Sequence, residues 1–585
     1  MCGLSGWLYQ PGAEPAADVL ARMADSIRHR GPDDEGVFRV PGAGFAVAHR
    51  RLSIIDLTAG SHQPMVDEAT GVVLAYNGEL YNFRDLRREL QSRGHQFRSE
   101  GDTEVVLRSY LEWGTECFIR FAGMFALAIW DARTATVHLA RDAMGMKPLY
   151  CLAGAGGVAF ASEVKAFRAL PGFRAQVDPA ALTQYLEFGY VFEAQRTILQ
   201  GVRKVDPGHR LELHAGRVVR DHTWFVPPAP DTGDRREEAE RVEEIASVME
   251  QVVSEHLIAD VPLGLLLSGG LDSSVIAALA ARRGPLLTVS MGFGGSSVDE
   301  RPFAREVSRH IGSRHVEVLV SPEDVKREAM EGAWVFDDLF ADWGTLTTRL
   351  LYRRCREQGI KAVLVGEGAD ELFGGYDMFH APARLGPWEQ FRLYQRYAGR
   401  RHGRLFGQFR RIMGSYLDAG HGDSFHAIRL FESRRQLPNQ YVMKVDKASM
   451  AESVESRTPY LDRRVAELAY RTPREWLQRG GENKYLLRAL ARRDNLLPAS
   501  TSARAKFGAP LAADWMDTDP AFRQFAREKV LDGAWSGRVG LKDAMTQYFD
   551  KGRTGYGFPR AVSLFRNAAW RVLLLELWAR HYVEA

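Results

Sequence analysis

The chain has 585 residues, too many for one hydrophobic core, and its 45% hydrophobic and 26% charged residues are ordinary for a globular protein of two or more domains. A formal net charge of +3 requires neither nucleic acid nor an anionic membrane as partner. No apolar run approaches the ~20 residues that cross a bilayer. The nearest, RVLLLELW, is short and carries Glu576, and charges interrupt the N-terminus before a signal-peptide core develops. The cysteines, Cys2, Cys117, Cys151 and Cys355, form no CxxC pair, which suits a reducing cytoplasm.

In chain order, the first feature is MCGLSGW, a cysteine directly behind the initiator methionine. Removal of Met1 would leave Cys2 with a free α-amine of pKa roughly 8, a local base for its own thiol. The bland alternative is a frayed terminal residue. From about residue 35 to 165 the short runs AYNGELYN, FALAIWDA, TVHLARDA and GVAFASEV predict strands, interrupted by a helix over RDLRRELQSRG. This first region reads as α+β with stacked sheets. HRRLSIIDL places Arg51 at the start of a strand, able to grip a carboxylate bidentately. YNGELYN offers Asn77 and Gly78 as the two donors of an oxyanion hole, or else a plain Asn-Gly hairpin turn. SEGDTEVVL supplies Asp102, able to hold an ammonium.

WFVPPAPDTGDRREEAE, residues 224–240, is rich in proline and charge and reads as a linker or domain edge. It divides a domain at 1–223 from one at 241–585. Beyond it VPLGLLL, LLTVSMGF, HVEVLV and KAVLV are continuous apolar runs separated by helical stretches, the pattern of a buried parallel sheet with additional helices. GLLLSGGLDSSVIAALA is strand, glycine turn and helix, where backbone N–H groups and the hydroxyls of Ser268, Ser273 and Ser274 can receive an anion. It lacks the lysine of the Walker loop. KAVLVGEGADELFGGYDMF is a second strand–loop–helix, with Asp370 just past the glycines. RLYQRYAGRRHGRLFGQFRR, residues 392–411, holds seven arginines and no acid. It reads first as a solvated helix face, and otherwise as a mouth for an anionic acceptor or nucleic acid.

The first set of motifs resembles the glutaminase domain of class II glutamine amidotransferases: Cys2-Gly3, RGPDDEG at 30–36, RLSIID at 51–56, YNGE at 76–79, GDTE at 101–104, RDAMGMKPLY at 141–150 and ASEVKA at 161–166. The resemblance implies an N-terminal-nucleophile αββα fold. It makes Cys2 the nucleophile and Asn77 with Gly78 the oxyanion hole. Glutamine would be held by Arg51, Leu52, Ser53, Ile54 and Ile55, with Asn77, Gly78, Glu79 and Asp102. SGGLDSS resembles the pyrophosphate loop of the ATP pyrophosphatase family, which splits ATP between its α and β phosphates. That implies Mg2+, with Asp272 and Asp370 as its ligands. GEGADELFGGY, VDKASMAESVESRTPYLD at 445–462 and ENKYLLR at 482–488 resemble the signature of glutamine-hydrolysing asparagine synthetases. By this resemblance Glu367 serves acyl-adenylate chemistry. ATP would contact Leu267, Ser268, Gly269, Gly270, Asp272, Ser273, Met291, Val365 and Gly366, with Lys484 on phosphate. One departure stands out. The family lysine three residues before a phenylalanine is replaced by Arg504 in SARAKFGAPL, with Lys506 directly before Phe507. Arginine keeps the charge but not the compact ammonium, so Arg504 or Lys506 inherits the role.

The implied reaction is glutamine- and ATP-dependent conversion of a carboxylate to its amide through an acyl-adenylate. Aspartate is the default acceptor; glutamate, AMP and pyrophosphate are by-products, and ammonia passes between sites. The rivals are the same chemistry on a sugar acid or secondary-metabolite precursor, and a catalytically inactive scaffold. A homodimer in the cytoplasm completes the expectation.

Overall fold

The computed structural model describes residues 2–10, 16–154, 156–293, 299–342, 344–382, 384–398, 403–504, 514–551 and 559–584. The first twelve strands are β1 (Gly3–Tyr9), β2 (Asp34–Val40), β3 (Phe45–Arg51), β4 (Met65–Asp67), β5 (Val72–Leu80) and β6 (Gly123–Asp131), then β7 (Thr136–Arg141), β8 (Tyr150–Gly154), β9 (Gly157–Ala161), β10 (Val202–Lys204), β11 (His209–His214) and β12 (Arg217–Thr223). They form two six-stranded sheets, β10-β8-β9-β1-β3-β2 and β12-β11-β7-β6-β5-β4.

Side-chain alternation along β5 explains the layering. Val73 and Ala75 join Leu4, Leu8, Phe45 and Phe160 of the facing sheet in one apolar layer. Val72, Leu74 and Tyr76 point the other way, onto Leu86, Leu90, Val106 and Tyr110 of the helices Phe83–Ser92 and Asp102–Trp113. The helix Ala17–Ser26 covers the outer face of the other sheet through Leu20 and Ala24. The N-terminal domain is therefore helix, sheet, sheet, helix, in agreement with the stacked-sheet expectation.

Two local expectations need correction. Asn77 and Gly78 do not turn the chain: β5 runs through both, pairing Asn77 with Ala126 and Gly78 with Phe125. Long-range pairing overrides the hairpin preference of the dipeptide. Arg51 ends β3 rather than starting a strand.

The second domain holds β13 (Leu263–Leu266), β14 (Leu287–Phe293), β15 (Arg314–Val320), β16 (Ala362–Leu364) and β17 (Glu455–Arg457). Every pairing among them is parallel, in the order β15-β14-β13-β16-β17. Connections run outward from β13 on one side and continue from β16 on the other, so the switch point lies between these two strands. Crevices for ligands form at the carboxyl ends of strands at such a point. The helix Pro559–Tyr582 contains RVLLLELW, and its Trp570, Leu573 and Trp578 pack with Val164, Phe167 and Tyr185 of the first domain. That burial between domains accounts for the apolar run. Among the described residues no helix is long and apolar enough to cross a membrane. Arg392, Arg396, Arg404, Arg410 and Arg411 of the arginine-rich segment are exposed.

Candidate active sites

The first site assembles where the two N-terminal sheets meet. Cys2 precedes β1 and is buried, and its backbone nitrogen donates to Asn77 Oδ1 at 3.0 Å. Asn77 shares the inward face of β5 with Val73 and Ala75, and its Nδ2 is buried without a hydrogen-bond partner. An orphaned buried donor beside a thiol suits a developing oxyanion. Burial pushes the Cys2 thiol above its ordinary value, while the Leu52 N–H and the Arg51 charge favour the thiolate.

Glu79, two residues beyond Asn77, faces the same side and is buried, and its Oε1 likewise has no hydrogen-bond partner. Burial and neighbouring Asp102 raise its pKa well above the usual range, against the pull of Arg457. Asp102 accepts from Leu80 N at 2.8 Å and Tyr76 OH at 3.0 Å. Burial pushes Asp102 up to about 6. Such an acidic, desolvated pair favours an arriving ammonium.

Leu52 and Ile54 are buried and Ser53 and Ile55 half-buried beside it. Arg51 is already engaged. Its Nη1 donates to Thr58 O at 3.1 Å, and its Nη2 to the carbonyls of Ile55 and Asp56. As placed, Arg51 braces the 55–58 loop, and only its remaining N–H capacity is available to a carboxylate.

The sequence reading missed Arg457, which comes from the other domain. It is fully buried, with Nη2 3.3 Å from Glu79 Oε2 and Nε 2.6 Å from Glu455 Oε1, and Nη1 on the carbonyls of His256 and Ile258. Its own carbonyl accepts from Val365 N at 2.9 Å, next to Gly366 and Glu367. One residue thus touches the acid of the first site and the loop of the second. Arg30, inside RGPDDEG, is a companion link. Its Nε donates to Cys2 O at 3.0 Å, and its Nη1 lies 2.8 Å from both Glu163 and Asp446. Nothing local marks either arginine. The only sequence signal for Arg457 is its place inside the VDKASMAESVESRTPYLD resemblance.

The second site lies at the carboxyl ends of β13 and β16. Leu267, Ser268, Gly269, Gly270, Asp272, Ser273 and Met291 line one side of a cleft of about 830 Å3. Val365, Gly366, Glu367, Asp370, Lys484 and Arg504 complete the same cleft. Gly269 has φ +77°, and a Cβ there would come within 2.5 Å of the Phe303–Ala304 backbone. Only glycine lets the loop pass. Gly270 caps the helix Leu271–Ala281, whose amino end faces the cleft and suits phosphate. Ser268 and Ser273 hydroxyls lie 3.0 Å apart and hold the loop.

Lys484 Nζ bridges Asp272, at 2.7 and 2.6 Å, and Asp370, at 2.5 Å. Burial disfavours its charge, yet the two carboxylates raise its pKa. Arg504 donates from Nη1 to Gly269 O at 2.6 Å and from Nη2 to Glu306 at 3.0 Å, with its guanidinium over Phe303. It braces the Ser268–Ser273 loop from the cleft wall. Lys506 lies outside the described residues. Near Glu367, Lys444 Nζ sits 2.9 Å from Asp342. Among the described residues, no group of three or more His, Cys, Asp and Glu is placed to hold a metal. Asp272 and Asp370, converging on one cation, are the hard-oxygen donors that Mg2+ prefers when phosphate completes its shell.

Leu52, Ile54, Met124, Met144 and Met146 of the first domain join the core of the second in one apolar seam.

Comparison with known proteins places these sites in context. Residues 1–225 match the family described as a glutamine amidotransferase domain, and residues 244–580 that described as asparagine synthase. The chain is 31% identical to the glutamine-hydrolyzing asparagine synthetase 1 of Bacillus subtilis, covering 87% of each chain. It is 30% identical to asparagine synthetase 3 of the same organism, over 91% of this chain and 92% of that one. To the glutamine-hydrolyzing asparagine synthetase B of Escherichia coli it is 30% identical, over 86% and 81% of the two chains.

Proposed function

The chain belongs to the asparagine synthase family, with a glutamine amidotransferase domain at its N-terminus, and on that premise we propose that it transfers the amide nitrogen of glutamine to a carboxylate activated by ATP, most simply that of aspartate. The observation that carries this reading is the pairing, in one chain, of a buried cysteine whose backbone nitrogen holds Asn77 Oδ1, leaving Asn77 Nδ2 without a partner, with a glycine-looped cleft at a parallel-sheet switch point.

At the first site Cys2, freed of Met1, uses its α-amine to take the thiol proton, and Asn77 Oδ1 orients that amine. The thiolate attacks the glutamine amide carbon. Asn77 Nδ2 and Gly78 N–H stabilise the oxyanion, while Glu79 and Asp102 hold the substrate ammonium and Arg51 to Ile55 frame the pocket. The proton passes to the leaving nitrogen, ammonia departs, and water hydrolyses the thioester to glutamate.

At the second site Leu267, Met291, Val365 and Gly366 receive the adenosine, and the loop Ser268 to Ser273 with Lys484 holds the phosphates. Mg2+ held by Asp272 and Asp370 would neutralise charge on the departing pyrophosphate. An acceptor carboxylate oxygen attacks the α-phosphorus, the bond to the β-phosphate oxygen breaks, and an acyl-adenylate remains. Ammonia then attacks the acyl carbon, AMP leaves, and Glu367 takes the proton released from nitrogen. Arg504 holds the phosphate loop, and Lys506 is the second candidate for the family lysine. Ammonia generated beside Cys2 reaches this point along the apolar seam, which favours the neutral, nucleophilic form. The domain division at 224–240, a homodimer and a cytoplasmic setting belong to the same reading.

The test is the nitrogen source. Cys2→Ala should lose glutamine-dependent AMP and pyrophosphate release by about 10³-fold or more, while ammonium with aspartate still supports it. Equal loss with both sources, or turnover with another carboxylate but none with aspartate, overturns the relay or the acceptor respectively.

A further inference from the structure

Lys484 sits where two acidic loops converge, and one ammonium there serves two carboxylates. It meets both oxygens of Asp272 and Oδ1 of Asp370 within 2.5 to 2.7 Å. The seat is built rather than incidental. Lys484 adopts a left-handed backbone, φ +54°, immediately before the helix Tyr485–Arg492, which is uncommon for a residue with a side chain. Its side chain is only 7% exposed. Gly375 leaves the passage open, because a Cβ there would overlap Asp370 Oδ1 and Lys484 Cε.

These are the carboxylates assigned above to magnesium, and the inference rests on that reading. A divalent ion bound to carboxylate oxygens at ~2.1 Å would lie against an ammonium that contacts the same oxygens. Two cations cannot occupy that space together, and in a partly desolvated cleft their repulsion is strong. Without nucleotide, Lys484 would leave two anions for none. With nucleotide, the triphosphate offers its ammonium new anionic partners at the neighbouring loop.

We propose that Lys484 is a resident counter-ion of the Asp272–Asp370 pair, excluding divalent metal from the nucleotide-free cleft and releasing the carboxylates when a polyphosphate arrives. Metal binding is then conditional on nucleotide, and the nucleotide-free cleft resists loading by metal alone.

Mn2+ binding to the full chain, followed by electron paramagnetic resonance without nucleotide, tests this. Lys484→Met should bind Mn2+ at least tenfold more tightly than the wild type, and adding Asp370→Asn should abolish the gain. If the methionine variant does not fold, Lys484→Gln gives the same comparison. Affinity unchanged or weakened in the folded variant overturns the inference. Wild-type protein with the α,β-methylene analogue of ATP separates the two layers. Protein-dependent Mn2+ binding there that Asp272→Asn and Asp370→Asn both remove supports the metal assignment, even if the Lys484 inference fails. Binding that neither substitution changes overturns the assignment, and the inference with it.

Discussion

The glutamine site and the nucleotide cleft solve different problems with different parts of a sheet. The first lies within antiparallel strands, where Asn77 and Glu79 project from the carboxyl-terminal half of β5 and are almost wholly buried. The second lies beyond the ends of parallel strands, where glycine loops and helix amino ends line an open cleft. A small neutral reaction with one oxyanion needs few donors, held rigidly and dry. A polyphosphate needs many backbone donors and mobile cations, which loops supply. The difference also shows in the unmatched atoms. The first site keeps Asn77 Nδ2 and Glu79 Oε1 without partners, whereas in the second Lys484 pairs the acids in advance. Arg457 joins these two constructions, with its side chain in one and its carbonyl on the other.

Breaking that join should have the largest effect on the contrast. Arg457→Met strips Glu79 and Glu455 of the cation they share and leaves two buried carboxylates without it. We expect kcat/KM for glutamine to fall about 10²-fold, mainly through KM, while ammonia-dependent turnover changes far less. Arg457→Lys should restore part of the loss, and thermal melting distinguishes this from unfolding. Equal loss with ammonia would mean that Arg457 only supports the fold.

A smaller effect sharpens the electrostatics of the first site. Burial raises Asp102 to about 6, so it gains a proton as pH falls through that value and, on the proposed function, would lose the charge that attracts the glutamine ammonium. Glutamine affinity, measured by calorimetry on Cys2→Ala, should hold above pH 6 and weaken by up to about tenfold per unit below it. A flat profile from pH 7 to 5 would remove Asp102 from the ammonium site.

How much of this was legible in the sequence depends on how local each feature is. SGGLDSS and GEGADELFGG could be read because strand, turn and helix follow one another without interruption, and the cleft brings together the described residues expected there except Ser274, whose hydroxyl is buried in the helix packing and does not line it. The parallel sheet was legible from its continuous apolar runs, and the stacked sheets from short alternating ones. Asn77-Gly78 was open to two readings because the dipeptide's turn preference is local, whereas its strand pairing depends on β6 many residues away. Gly78 is required there because a Cβ would overlap Met124 O. Arg51 showed its charge but not the carbonyls of the 55–58 loop that occupy it. Arg457 and the Arg30–Asp446 link were invisible for a related reason. A buried interdomain ion pair leaves no periodicity, and an arginine reads as surface until its partners are known.

The claim that the two sites act as one relay has a direct measurement in the fate of the nitrogen. With amide-15N glutamine and an equal concentration of unlabelled ammonium, the carboxamide product should carry far more 15N than the free ammonium pool sampled at the same time. Product label equal to that of the pool would show that ammonia leaves the protein before it is used, and would contradict a passage between Cys2 and Glu367.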